Sequence, residues 1–287
     1  MSFYEFLSSV RRQANKFCGE SGMKKVKVIV LRTAGTNCDY ETVHAFQKVG
    51  ADVELVHINQ LIRKEKELSP YQILAFPGGF AYGDDIAAGK IMANELKYKL
   101  RDSVEKFIAD GKLMIGICNG FQVMIKAGLF SGFNGSNGTQ EMTLYTNDSG
   151  KYECRWIHLK SVENSKCIFT KNIKQRVYLP IGHGEGKFTT TNEGVIDKLE
   201  SNGQVVFKYV DAEGNTATSY PLNPNGSDRC IAGICDATGR IFGMMPHPER
   251  YVSKYNHPRW TRENLDEEGD GLAIFRNAVE YAEGLED

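Results

Sequence analysis

Short runs of consecutive apolar residues alternate with segments whose apolar positions fall three or four apart, and this alternation organises the first half of the chain. Val26 to Leu31, Val53 to His57, Ile73 to Phe76 and Lys112 to Ile117 are the short runs. They are too short for helices and too uniformly apolar for half-exposed strands, so they predict strands buried on both faces. Between them, Tyr40 to Val49 and Asp84 to Ala109 carry helical spacing, and an amphipathic helix follows the fourth run and stops at Gly128. Strands alternating with helices predict an α/β fold: a mostly parallel sheet with helices on both faces. Ligands of such sheets bind at the carboxyl ends of strands, where Asn37, Gly79 and Cys118 fall.

After Gly128 the pattern changes. Phe130 to Thr139 is rich in Gly, Asn and Ser, while Arg155 to Leu159 and Gln204 to Val210 read as strands separated by loops. Asn225-Gly226 and Thr238-Gly239 are turn signals, and the second predicts a hairpin whose returning strand, Ile241 to Met245, delivers the segment that follows it. This half extends the sheet with additional antiparallel strands, and Gly271 to Tyr281 makes a closing helix. Phe3 to Arg12 has helical spacing but neither the apolar core nor the cleavage site of a secretory signal, and Glu5 and Glu20 argue against a transit peptide. The chain therefore divides into an N-terminal extension, 1–24, read as a short helix packed on the domain or on a partner, and one domain, 25–287.

Candidate chemistry concentrates at Gly116-Ile117-Cys118-Asn119-Gly120-Phe121-Gln122. The run joins a strand to a helix, so Cys118 stands on an elbow where the next N–H can stabilise an oxyanion and the helix N-terminus favours a thiolate. In Pro246-His247-Pro248-Glu249 an imidazole and a carboxylate lie two residues apart on a segment stiffened by prolines, here expected to be extended. His247 suits a base and Glu249 the group that orients it. Pro77-Gly78-Gly79-Phe80 follows the third strand as a turn able to present backbone N–H groups.

These segments resemble class I, triad-type glutamine amidotransferases. Gly35-Thr36-Asn37-Cys38-Asp39, Pro77 to Asp84, Cys118 to Gln122, His183-Gly184-Glu185-Gly186-Lys187-Phe188 and Pro246 to Arg250, in that order, are similar to the glutaminase-subunit family of phosphoribosylformylglycinamidine synthase. The resemblance runs from about Lys25 to about Arg250. It implies a flavodoxin-like sheet and hydrolysis of glutamine to glutamate and ammonia through Cys118, His247 and Glu249. It also implies an oxyanion hole from Gly79 and Asn119, and Gln122, His183 and Glu185 near the substrate. The ammonia would pass to a separate ATP-dependent synthetase, with a small bridging subunit in the same complex. Short members of the family carry an Arg shortly after Tyr-Gly-Asp, where this chain has Asp85-Ile86-Ala87-Ala88, and residues 1–23 and 251–287 extend beyond the short form.

Composition narrows the remaining classes. The chain has 287 residues, 41% hydrophobic, with a formal charge of -1, which suits one large α/β domain. Arg63, Lys64 and Lys66 are interleaved with Glu65 and Glu67, a solvated face rather than a nucleic-acid patch, and no apolar run reaches membrane-spanning length. Seven cysteines without a Cys-x-x-Cys pair point to a reducing compartment, the cytoplasm, to no metal site, and to buried thiols apart from Cys118. His44, His57, His158 and His257 are scattered and read as packed or solvated side chains. No phosphate-binding Gly-x-x-x-x-Gly-Lys loop occurs, so no cofactor is expected in this chain, and ATP and magnesium belong to the partner. Two alternatives keep the fold: a cysteine-elbow hydrolase or isomerase, and a catalytically silent regulatory subunit.

Overall fold

The structure is a computed structural model that describes residues 25–130 and 140–285. Four parallel strands form in the order of the apolar runs: β1 (Lys27–Arg32), β2 (Asp52–His57), β3 (Ile73–Phe76) and β4 (Leu113–Ile117). The remaining strands are β5 (Met142–Thr146), β6 (Glu153–Ser161), β7 (Arg176–His183), β8 (Glu185–Thr190), β9 (Val205–Val210), β10 (Ile231–Cys235) and β11 (Ile241–Met244). Of the eleven strands among the described residues, nine make one sheet in the order β2-β1-β3-β4-β11-β10-β9-β6-β7, and β5 and β8 pair in a separate antiparallel sheet. β2 to β11 in that order are mutually parallel; from β11 to β7 every pairing is antiparallel. The parallel core with antiparallel additions agrees with the sequence reading.

Among the described residues the helices are α1 (Asp39–Lys48), α2 (Ile58–Ile62), α3 (Lys90–Lys99), α4 (Arg101–Ala109), α5 (Asn119–Ala127), α6 (Glu193–Ser201) and α7 (Leu272–Ala282). β3 and β4 are buried at every position, as strands covered on both faces must be. α1 packs on β1 and β2 and meets α7, with Phe46 edge-on to Phe275 at 4.9 Å; α5 packs on β3, β4 and β11 and meets α3. α5 can lie close to the sheet because glycines face each other at the contact, Gly120 on the helix and Gly116 and Gly243 on the strands. A Cβ on Gly120 would fall 1.9 Å from the Phe76 carbonyl oxygen, and one on Gly243 would fall 2.1 Å from the Phe121 ring. Gly243 stands beside Gly116 in the β11–β4 register, so the two glycines make one flat seat for the helix.

Three expectations change. Asp84 to Ala109 is not one helix: Ala81–Asp84 is a 3-10 turn, α3 begins only at Lys90, and Leu100 separates α3 from α4. Asp84 and Gly89 sit at φ 55° and 71°, a left-handed backbone that breaks a helix although the apolar spacing continues past it. The segment after His247 is not extended either. Pro248–Arg250 forms a 3-10 turn, which suits the fixed φ of a proline at its first position. Cys154 is exposed, unlike the other described cysteines. The hairpin through Thr238-Gly239 and the closing helix form as expected. The helix assigned to the extension, and most of Phe130 to Thr139, lie outside the described residues.

Candidate active site

β4 and β11 run parallel and adjacent, and the Cys118 N–H continues their pairing with a 2.8 Å bond to the Met244 carbonyl. Nucleophile and base candidates, distant in sequence, therefore leave the sheet side by side. Cys118 has φ 51° and ψ −106°, a strained backbone for a residue with a side chain, and it occupies the N-cap of α5. Its thiol lies 3.5 Å from the Gly182 carbonyl at the end of β7. Cys118 as a residue is 4% exposed and His247 1%.

His247 is anchored by its N–H, which donates to the Pro180 carbonyl at 2.9 Å, and its Nδ1 is 2.6 Å from Glu249 Oε1. Among the described residues its Nε2 and Glu249 Oε2 make no hydrogen bond. Burial alone would push the imidazole pKa down, but the Glu249 carboxylate and then the Cys118 thiolate outweigh it and raise the pKa well above the ordinary value. The ring is thus prepared to carry a positive charge opposite a thiolate.

The Gly79 turn is held by a short antiparallel bridge. Asn37 N–H bonds the Gly78 carbonyl at 3.2 Å and Phe80 N–H bonds the Gly35 carbonyl at 2.8 Å, with Thr36 opposite Gly79 as the unbonded pair. In such a pair the N–H groups point away from the partner strand, so the Gly79 N–H is turned out of the bridge. Gly79 has φ 145°, and a Cβ there would meet backbone at 2.7 Å, which excludes any other residue.

Asn119, Gln122 and Glu185 meet in a buried network. Asn119 Oδ1 accepts from the Ala81 N–H at 3.0 Å, and its Nδ2 donates to Asp84 Oδ1 at 3.2 Å and Gln122 Oε1 at 2.9 Å. Gln122 Nε2 donates to the Glu185 carbonyl at 2.5 Å. The Glu185 carboxylate accepts from the Ala88 N–H and from Lys126, whose Nζ is 3.3 Å away. Burial lowers the Lys126 pKa despite that partner and raises that of Asp84. Gln122 and Glu185 therefore tie the loop after β3 to α5 and β8.

His183 ends β7 and Glu185 begins β8, so the glycine-rich segment between them is a crossing from the large sheet to the small one, not a loop. Asn147 Nδ2 donates to the Lys151 and His183 carbonyls, which leaves its Oδ1 to accept from Gly186 N–H and from His183 Nδ1 at 3.1 Å. The proton of neutral His183 is therefore on Nδ1, and Nε2 is a buried acceptor with no partner among the described residues. Burial, and then the charge on His247, push the His183 pKa down to about 3.

Cys38, Arg250, Asn147 and Lys126 are site residues that the sequence reading did not assign. Cys38 Sγ, a His247 nitrogen and a Glu249 oxygen lie within 4.8 Å of one another, the one group of His, Cys and acidic residues among the described residues with spacing for a metal ion. Arg250 Nη2 donates to that sulfur at 3.1 Å, and the His247–Glu249 bond engages the other two, so here they serve as hydrogen-bond partners. The scattered histidines are packed or solvated as expected: His44 is exposed, His57 caps α2, and His257 stands against Trp156 and Tyr251.

Residues 25–282 match the CobB/CobQ-like glutamine amidotransferase domain. A phosphoribosylformylglycinamidine synthase subunit PurQ from Dehalococcoides mccartyi is 51% identical over 91% of this chain and 99% of its own length, and one from Archaeoglobus fulgidus is 47% identical over 91% and 99%. The chain belongs to the PurQ family. In three dimensions it is similar to a chain of the PurLQS structure from Thermotoga maritima, at 30% identity, TM-score 0.68, covering 90% of this chain and 99% of that one. A glutamine amidotransferase from the same organism, 17% identical with TM-score 0.53 and covering 91% and 99%, shares the fold. As a PurQ, this chain is a glutamine amidotransferase, the glutaminase component of its synthase. No helix among the described residues is long and apolar enough to cross a membrane.

Proposed function

We propose that this PurQ hydrolyses glutamine with Cys118 as nucleophile, His247 as base and then acid, and Glu249 as the carboxylate that fixes the imidazole. The observation that carries the assignment is the buried imidazole whose Nδ1 is held at 2.6 Å by Glu249 while Nε2 stays unbonded and the Cys118 charge acts on it. The Cys118 thiol proton passes to Nε2, and the sulfur adds to the amide carbon, driving the carbonyl electrons onto oxygen. The N–H groups of Gly79 and Asn119 stabilise that oxyanion. Collapse breaks the C–N bond as His247 returns the proton to nitrogen, giving ammonia and a γ-glutamyl thioester. A water then loses its proton to His247, adds to the thioester and expels the thiolate, which recovers the proton and leaves glutamate.

Gln122, His183 and Glu185 shape the substrate side of the pocket: Gln122 and Glu185 by holding the loop after β3, and His183 by offering its bare Nε2 as an acceptor. The ammonia goes to an ATP-dependent synthetase subunit that converts formylglycinamide ribonucleotide to formylglycinamidine ribonucleotide, assembled with a small bridging subunit. The Thermotoga maritima assembly named PurLQS supports this partnership. The half-reaction on this chain needs no cofactor, ATP and magnesium act on the synthetase, and the complex works in the cytoplasm.

The test is Cys118→Ser in the reconstituted complex. Glutamine-dependent synthesis is lost, while synthesis from added ammonium salt continues. Near-wild-type glutamine turnover by that variant would sink the nucleophile assignment.

A further inference from the structure

The Gly35-to-Asp39 segment supplies no reacting group to the acyl transfer above, yet the sulfur of Cys38 lies within 4.8 Å of ligand atoms of His247 and Glu249. Cys38 is the N-cap of α1, is 1% exposed, and is fixed from three sides. Its N–H donates to the Gly78 carbonyl at 3.1 Å, its thiol donates to Asn37 Oδ1 at 3.1 Å, and Arg250 Nη2 donates to the sulfur at 3.1 Å. Filling apolar space would require none of these, least of all a guanidinium aimed at sulfur.

Gly78 is where Cys38 and His247 meet. A Cβ at that position would stand 2.7 Å from His247 Cε1 and 3.3 Å from Cys38 Sγ, so imidazole and sulfur press on the same stretch of backbone. That stretch leads directly into Gly79. Arg250, meanwhile, reaches both the Cys38 sulfur and the surroundings of Gly182: a Cβ on Gly182 would lie 3.7 Å from Arg250 Nη1, and the Gly182 carbonyl faces the Cys118 thiol.

We propose that Cys38 is a positioning residue for the amidotransferase reaction: its sulfur, set by Arg250 and Asn37, keeps the His247 imidazole and the Gly78-Gly79 turn in one register. Base and oxyanion donor are then aligned on Cys118 together. The inference rests on the triad assignment. Serine at position 38 keeps both a donor and an acceptor, whereas alanine removes both.

The experiment uses the full chain with its synthetase and compares Cys38→Ala with Cys38→Ser. For Cys38→Ala the expected result is a ten- to hundredfold fall in glutamine-dependent kcat, about the cost of ångström-scale misalignment, with KM within about twofold of wild type. Cys38→Ser recovers most of the rate. If Cys38→Ala does not fold, Arg250→Met supplies the second arm, since it leaves Cys38 in place but frees its sulfur, and the same fall in kcat is expected. Wild-type kcat in Cys38→Ala or Arg250→Met, or a loss that Cys38→Ser shares in full, overturns the proposal. Labelling by a diazo-ketone glutamine analogue keeps the two readings apart: absence of an adduct at Cys118 in the wild type refutes the triad instead.

Discussion

At His183 a neutral imidazole is held with one nitrogen bonded to Asn147 and the other bare, in a setting that refuses a proton. The unfolded chain accepts one near pH 6.5, whereas the folded chain does so only near pH 3. Between those values the unfolded state binds more protons, so this group stabilises the fold fully above pH 6.5 and progressively less as pH falls. Acidification from pH 6.5 to 5 should cost about 2 kcal/mol through this side chain alone. The opposing linkage of His247, whose folded pKa is raised, is lost only above pH 6.5 and does not interfere in that window. Urea midpoints of wild type and His183→Gln across it provide the check: the variant should show a visibly flatter acid limb, and parallel curves would show that His183 titrates normally. The proposed triad of Cys118, His247 and Glu249 was legible as a candidate in the sequence because its chemistry is local, a glycine-flanked elbow and an imidazole two residues from a carboxylate. Cys38, Asn147 and Lys126 were not, because what engages each of them is distant in the chain, as Arg250 is from Cys38 and Glu185 from Lys126.

Among the elements, α5 carries Cys118, and its seat on the sheet depends on an absence of side chains. In Gly120→Ala the new methyl would lie 1.9 Å from the Phe76 carbonyl oxygen, a backbone atom that cannot turn aside. The helix must lift, and overpacking of this kind costs about 3 kcal/mol, or roughly 6–12 °C in Tm for a domain of this size. Thermal unfolding measures the effect, and an unchanged Tm would mean that α5 lies farther from β3 than described. The parallel strands were readable because burial on both faces leaves them uniformly apolar. β7 and β8 were not, since nothing local marks the point between His183 and Glu185 where the chain passes from one sheet to the other. The apparent helix from Asp84 failed for a related reason: apolar spacing persists past Asp84 and Gly89, while the backbone there turns left-handed.

For the molecule as a whole, the burial of the site implies a controlled entrance. With Cys118 4% and His247 1% exposed, solvent barely reaches the two residues, while Phe80 and Tyr152 stand half-exposed beside the site with ring centroids 6.3 Å apart. Steady-state glutamate production by the isolated chain should therefore be low and should rise at least about tenfold with synthetase, ATP and formylglycinamide ribonucleotide, as expected when a partner favours the open or completed state. Equal rates alone and in complex would dismiss such coupling.

The adjacency of β4 and β11 has an evolutionary side. Because Cys118 and His247 depart from neighbouring strands, their separation follows from the strand spacing of about 4.8 Å together with the β7 anchors at Pro180 and Gly182, not from the turns of the chain that joins them. That joining chain includes all of the antiparallel half. Insertions and deletions at its turns, such as Asp211–Gly214 beyond β9, are therefore free to accumulate while the distance on which the proposed reaction depends stays the same.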